Sequence, residues 1–153
     1  MQATVLTPPT NLVAKKKGFS IIVNVAALGL KIPNSALATT RSYIKSNREI
    51  VRKYLMAYIE GIKVLKSNPA LSMRILSRYT RVTDAESLEE AYTIYAGAIP
   101  ARPYIDLPSI QKVIDFYKKD RPEMAKVKAE QIVDTSVLQE IDQSGFIDTL
   151  YKK

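Results

Sequence analysis

The stretch from Ser46 to Asn68, SNREIVRKYLMAYIEGIKVLKSN, constrains this chain more than any other, because it is the longest run whose apolar residues fit one helical face. Ile50, Val51, Tyr54, Leu55, Tyr58, Ile59, Ile62 and Leu65 recur at spacings of one, three and four, while Arg48, Glu49, Arg52, Lys53, Glu60, Lys63 and Lys66 take the other side. A helix shows that segregation when one stripe faces a core and the remainder faces water. Ser46 and Glu49 have the S-x-x-E spacing of a capping box, in which hydroxyl and carboxylate each accept from an otherwise unpaired first-turn amide. Pro69 cannot continue the ladder and disfavours a helical Asn68 before it. The sequence therefore predicts a packed helix bounded at both ends.

Around that helix the composition is ordinary for one soluble domain: 153 residues, 46% apolar and 25% charged. The side chains that are missing exclude more. The chain has no cysteine, so disulfides and thiolate metal sites are ruled out, and no histidine, which removes the commonest general base and the usual zinc ligand. No catalytic residue, metal ligand or cofactor site is predicted. The net charge of +8 would suit nucleic acid, anionic lipid or an acidic partner. Its only tight cluster is Lys15-Lys16-Lys17, however, and the remaining basic residues fall on the solvent faces of predicted helices. The start, MQATVLTPP, lacks a charged residue followed by an apolar run, and no segment reaches the ~18 apolar residues of a membrane span. As written, the chain reads as soluble and without an export signal.

The first 40 residues differ in character from the rest. Ala3–Leu6 is a short β-prone run, and Thr7-Pro8-Pro9-Thr10 reads as a turn into a helix through Leu12, Val13 and Ala14, with Thr7 as its cap and Pro8 in first position. Gly18 ends that helix. Phe19–Val25, FSIIVNV, is rich in β-branched residues and predicts a buried strand, and Ala36–Thr40 a second extended piece. From Arg41 onward about five helices are expected. One follows Pro69 and buries Leu71, Ile75, Leu76 and Tyr79. The next opens at a Thr83/Glu86 box, and after a loop over Gly97–Asp106 another is capped by Asp106 and broken at Arg121-Pro122. A last one runs from Asp134 to Ser144, closed by Gly145, with Phe146, Ile147 and Leu150 on a final turn. The predicted class is α+β, predominantly helical, with few short strands confined to residues 1–40.

One order of segments runs through Ala3-Thr-Val-Leu-Thr-Pro-Pro-Thr, Ala14, Gly18-Phe19, Asn34-Ser35-Ala36-Leu37-Ala38-Thr39-Thr40 and the Asn47 helix with Ala57-Tyr58-Ile59-Glu60-Gly61, and closes on Val133-Asp134, Leu138, Ile141 and Ser144-Gly145-Phe146-Ile147-Asp148. That order resembles the C-terminal half of the periplasmic substrate-binding proteins of ABC importers, in the group serving sulfonates, nitrate, taurine and thiamine pyrimidine precursors. In that family two α/β lobes close on a small ligand. The resemblance implies that residues 1–33 are a remnant of the second lobe, that 34–40 form a crossover hinge, and that 41–153 form the helical C-terminal part of the first lobe. It also implies a periplasmic or extracytoplasmic location, a membrane permease as partner, and a chain that corresponds to part of a longer protein.

On that reading the candidate ligand contacts are Thr7, Thr10, Asn34, Ser35, Thr39 and Tyr104. The two threonines follow a strand at its C-terminal end, where ligands sit in open α/β sheets. Asn34, Ser35 and Thr39 offer amide and hydroxyl groups to an anion, and Tyr104 lies in a loop able to line a cleft. Capping, turn formation and surface packing are the alternative roles for these residues. Glu60 and Asp115 are assigned no site role. The leading expectation is a solute-binding component of an importer, or a fragment of one, that catalyses nothing. The alternative is a basic helical module for nucleic acid or an acidic protein, although no nucleic-acid partner is expected under the first reading, and an enzyme of pyrimidine synthesis ranks last. Unpaired strand edges in residues 1–40 further predict assembly, either as a homo-oligomer or with a polypeptide carrying the absent half.

Overall fold

Short polar side chains and prolines set most helix ends in this chain. The computed structural model describes residues 3–28 and 35–152 and shows where each of them acts. The α-helices are α1 (Thr10–Lys16), α2 (Arg41–Ser46), α3 (Arg48–Ser67), α4 (Pro69–Thr80), α5 (Ala85–Ala98), α6 (Leu107–Tyr117), α7 (Ala129–Ile132), α8 (Ser136–Gln143) and α9 (Phe146–Tyr151). Short 3-10 turns occupy Val25–Leu28 and Pro122–Lys126. The molecule is predominantly helical, and eight of the described α-helices follow residue 40, where about five were expected.

Capping explains the boundaries. The Thr40 hydroxyl accepts from the Tyr43 amide at 3.1 Å and opens α2. Asn68 accepts from the Leu71 amide at 3.1 Å, with Pro69 as the first residue of α4, so the proline that stops α3 also starts its successor. Asp106 accepts from the Ser109 amide at 3.0 Å and opens α6, as expected, with Pro108 in the first turn.

Three expected caps do not form. Ser46 is the last residue of α2 and donates back to the Ser42 carbonyl at 2.9 Å, so it cannot reach forward to Glu49; the Asn47 carbonyl takes the Val51 amide instead, at 3.1 Å. The cap of α5 is Asp84, not Thr83, with the Ser87 amide donating to its carboxylate at 2.9 Å. Pro9 stands at the start of α1 with no side chain able to cap, and Thr7 contributes its carbonyl, not its hydroxyl, to the Asn11 amide at 3.2 Å. In addition, α5 continues through Gly97 to Ala98, shortening the expected loop.

The helices fall into two compact units. One comprises the chain up to Asn24 together with Glu60–Ala101. Its buried residues include Leu12, Ile62, Leu88 and Ala91, and α4 packs against α5. Leu88 and Ala91 lie inside as expected, but Ile75 and Tyr79 of α4 are exposed. The other unit comprises Val25–Ile59 and the chain from Arg102 onward. Its core is Val51, Ile59, Val137, Leu138, Ile141 and Ile147, flanked by Ile44, Leu55, Met56, Phe146, Leu150 and Tyr151. The first part of α3 belongs to this second unit and its last two turns to the first.

The wide apolar stripe expected on α3 divides into two rows. Val51, Leu55 and Ile59 form the inner row, and Ile50, Tyr54 and Tyr58, each one residue earlier, are exposed. Successive residues on a helix lie ~100° apart, so a core that covers one row leaves the adjacent row at its rim.

The β-prone segments are the main correction. Among the described residues there is no strand: Ala3–Leu6, Phe19–Asn24 and Ala36–Thr40 are irregular, and Val25 begins a 3-10 turn. No α/β lobe, even a partial one, is therefore formed by the described residues. A strand exists only with a partner to complete its ladder, and no ladder forms among the described residues. Phe19–Val25 is not buried either: Phe19 is 69% and Ile22 79% exposed. Of the expected crossover hinge over residues 34–40, residues 35–40 are irregular, and the candidate contact Asn34 lies outside the described residues.

Candidate functional site

Thr7 and Thr10 stand on either side of Pro8-Pro9, on a turn that the rest of its unit holds in place. The Tyr95 hydroxyl of α5 donates to the Pro8 carbonyl at 2.6 Å, and Pro9 is among the most fully buried side chains. Both threonines are exposed. Proline fixes φ and removes a donor, so two of them in sequence leave the turn little freedom. The result is a pair of solvent-facing hydroxyls on a stiff, anchored backbone. The following residue, Asn11, was not singled out by sequence reasoning, yet its side-chain oxygen is buried without a hydrogen-bond partner. Its signal was present as an asparagine in a turn-forming run that caps nothing.

Close by in sequence, Lys16 binds the carboxylates of Asp84 and Glu86, each at 2.6 Å. Lys16, with the Ser87 amide, holds the Asp84 carboxyl down to about 2, and the lysine is raised in turn by its two carboxylate partners. Asp84 thus caps α5 and links α1 to it. The sign of the pH dependence follows from the lowered value. Ionised Asp84 supports the fold fully above the ordinary carboxylate range near ~4, and that support is lost as pH falls from there through about 2. Asp84→Asn keeps the capping oxygen and removes the charge. Its melting temperature should lie below wild type at pH 7 and low salt, with the gap closing between about pH 4 and 2. A gap that persists unchanged at pH 2 would show that the carboxylate charge is not the cause.

In the second unit, Tyr104 has its hydroxyl on the Asp142 carboxylate at 3.0 Å, and Arg102 binds the same carboxylate at 2.9 Å. Arg102 also bonds Asp148. The guanidinium therefore ties the loop before α6 to both α8 and α9, as its planar fork of donors permits. Partial burial, then the hydrogen bond to Asp142, raises the Tyr104 hydroxyl above its ordinary value, so it is a neutral donor at physiological pH. Tyr104 is thus engaged in holding the fold. Ser35 and Thr39 are exposed in the irregular segment before α2. On its own surface this unit pairs Arg48 with Glu140 at 2.5 Å, and Arg41 donates to the Gln131 carbonyl at 2.5 Å.

The candidate contacts are therefore divided: Thr7 and Thr10 belong to one unit, and Ser35, Thr39 and Tyr104 to the other. Among the described residues, no group of carboxylates could hold a metal ion and no helix is long and apolar enough to cross a membrane. Two surface depressions are open to solvent, one along α5 at Glu86, Glu89, Glu90, Thr93 and Ile94, the other at Tyr117, Arg121 and Met124. Comparison with protein-family models, with curated proteins and with solved structures finds no match to this chain.

Proposed function

We propose that this chain is a solute-binding component of an ABC-type importer, or a part of one, that holds a small organic or inorganic anion without converting it. The observation that carries the reading is the Thr7-Pro8-Pro9-Thr10 turn. The sequence likeness falls on this turn, and here two exposed hydroxyls stand on a backbone fixed by Tyr95 and the buried Pro9. Hydroxyls pre-positioned on a rigid scaffold bind an anion with little ordering cost.

The C-terminal part of the likeness also has a physical role. Leu138, Ile141 and Ile147 are core residues, and Asp148 is held by Arg102, so the shared residues are those that close α8 and α9 onto α3. On this reading a membrane permease is the downstream partner.

Thermal-shift titration with nitrate, taurine, an alkanesulfonate and an aminopyrimidine tests the proposal. One of these should raise the melting temperature in a concentration-dependent way, by the linkage between ligand binding and folding. Thr7→Ala with Thr10→Ala should abolish the shift while leaving the unliganded melt near wild type. No shift with any of them at millimolar concentration overturns the reading. Retention of generic DNA that weakens by orders of magnitude between ~50 and ~200 mM salt would favour the basic helical module instead.

A further inference from the structure

We infer that α4 docks on α5 of a second copy of this chain, the exposed arginines of one copy meeting the exposed glutamates of the other. The inference is independent of the ligand reading.

It begins from the way charge is sorted between two neighbouring helices. In α4, PALSMRILSRYT, there is no acidic residue, and the bases are Arg74 and Arg78. In α5, AESLEEAYTIYAGA, there is no basic residue, and the acids are Glu86, Glu89 and Glu90. The two helices pack against each other within one unit, yet their charges do not meet there. Arg74, Arg78, Glu89 and Glu90 are all exposed, and none of them joins an ion pair among the described residues, whereas Glu86 is taken by Lys16. Other arginines are engaged: Arg48 with Glu140, Arg52 with Glu49, and Arg102 with Asp142. Two arginines and two glutamates are left to serve a contact outside the chain.

Spacing lines the charges up. Arg74 and Arg78 are four residues apart, so they stand one above the other, ~6 Å along the helix axis. Successive residues lie ~100° apart, which puts Glu89 and Glu90 on either side of the line from Glu86 to Thr93. A helix laid along that line has a free carboxylate on each flank. Planar guanidinium groups match such carboxylates with two parallel hydrogen bonds.

Apolar surface accompanies the charge on both helices. Ile75 and Tyr79, each one residue after an arginine, are 45% and 81% exposed, and Ile94 on α5 is 42% exposed. The α5 depression lined by Glu86, Glu89, Glu90, Thr93 and Ile94 is open to solvent and offers a concave seat to the Tyr79 ring. Exposed ion pairs contribute little alone, so Tyr79 and the isoleucines supply the affinity while the charges choose the partner. They also choose which helices meet. Setting α4 on α4 would oppose arginines, and α5 on α5 would oppose glutamates; only α4 on α5 brings opposite signs together.

Light scattering on the unmodified chain, at several hundred micromolar and low salt, should give a mass above the 17.1 kDa of one copy. Arg74→Glu with Arg78→Glu should return it to the mass of one copy, and so should Glu89→Lys with Glu90→Lys, each with unchanged helical circular dichroism because all four positions are exposed. Mixing these two chains in equal amounts should restore association. The chain carrying all four reversals keeps the net charge of +8 and should associate as the unmodified one does, which separates matched faces from overall charge. Tyr79→Ala changes no charge and should weaken association about tenfold. A monomer at that concentration, association that survives either pair of reversals, or a chain with all four reversals that folds but stays monomeric would each overturn the inference. A monomer that retains generic DNA through Arg74 and Arg78 would assign the arginines to nucleic acid instead.

Discussion

Replacing Ile59 with alanine should destabilise the unit formed by Val25–Ile59 and the chain from Arg102 onward by roughly 2–5 kcal/mol, the range for large-to-small truncation in a packed core. Ile59 is fully buried and shares its cluster with Ile141 and Ile147, which are fully buried as well, so neighbours on α8 and α9 leave little room for collapse into the cavity. Leu55→Ala, one turn earlier and only partly buried, should fall toward the lower end of that range. Ile50→Ala and Lys53→Ala, at exposed positions on the same helix, should each change stability by less than about 0.5 kcal/mol. Chemical denaturation of the four variants gives the order, and hydrogen exchange at the α8 and α9 amides localises it. Equal costs for Ile50 and Ile59 would mean that the inner row of α3 is assigned to the wrong side.

That comparison also marks what a reader of the sequence can and cannot see. The helical period of residues 48–67 was legible, since it rests on spacing alone. Which of two adjacent apolar rows faces the core was not, because the choice between Ile50, Tyr54, Tyr58 and Val51, Leu55, Ile59 depends on where α8 and α9 lie. Pro69, Asp106 and Gly145 were legible as punctuation because a proline, a short polar cap and a permissive glycine each act on their own boundary, whereas the cap by Asn68 was not read. Ser46 and Thr83 were misread for a related reason. Where two capping residues are adjacent, or a short helix ends just before the next begins, local spacing is satisfied in more than one way.

The candidate contacts show the same limit more severely. The exposure of Thr7 and Thr10 follows from their prolines, but the Tyr95 anchor comes from 87 residues away and has no local signature. Tyr104 read as loop cover, and its tie to Asp142 across 38 residues is equally invisible in one dimension. The β-prone runs carried a true propensity. Among the described residues no ladder forms from them, and propensity does not report that.

Gly145→Val should cost about 1 kcal/mol net, and the reason is backbone conformation, not space. Gly145 has φ of 76°, the left-handed region, between the end of α8 and the start of α9. A Cβ placed there meets no atom within 4 Å, so no clash contributes. An L-residue in that region carries a penalty of roughly 1–2 kcal/mol, highest for a β-branched side chain, and the stiffer unfolded chain offsets only ~0.4–1 kcal/mol of it. If the backbone instead leaves the left-handed region, the turn opens and Ile141 and Ile147, which flank it, lose their common core. Gly145→Asn should be the mildest replacement, since asparagine visits this conformation readily. The converse substitution lies in the other unit, where Arg81 closes α4 at φ of 59° while its amide holds the Ser77 carbonyl at 2.8 Å. Arg81→Gly removes the penalty and keeps that bond, so it should stabilise slightly, by no more than about 1 kcal/mol once the looser unfolded chain is counted. Opposite signs in paired melts are the expected outcome. A Gly145→Val chain as stable as wild type would show that the turn between α8 and α9 does not require the left-handed conformation.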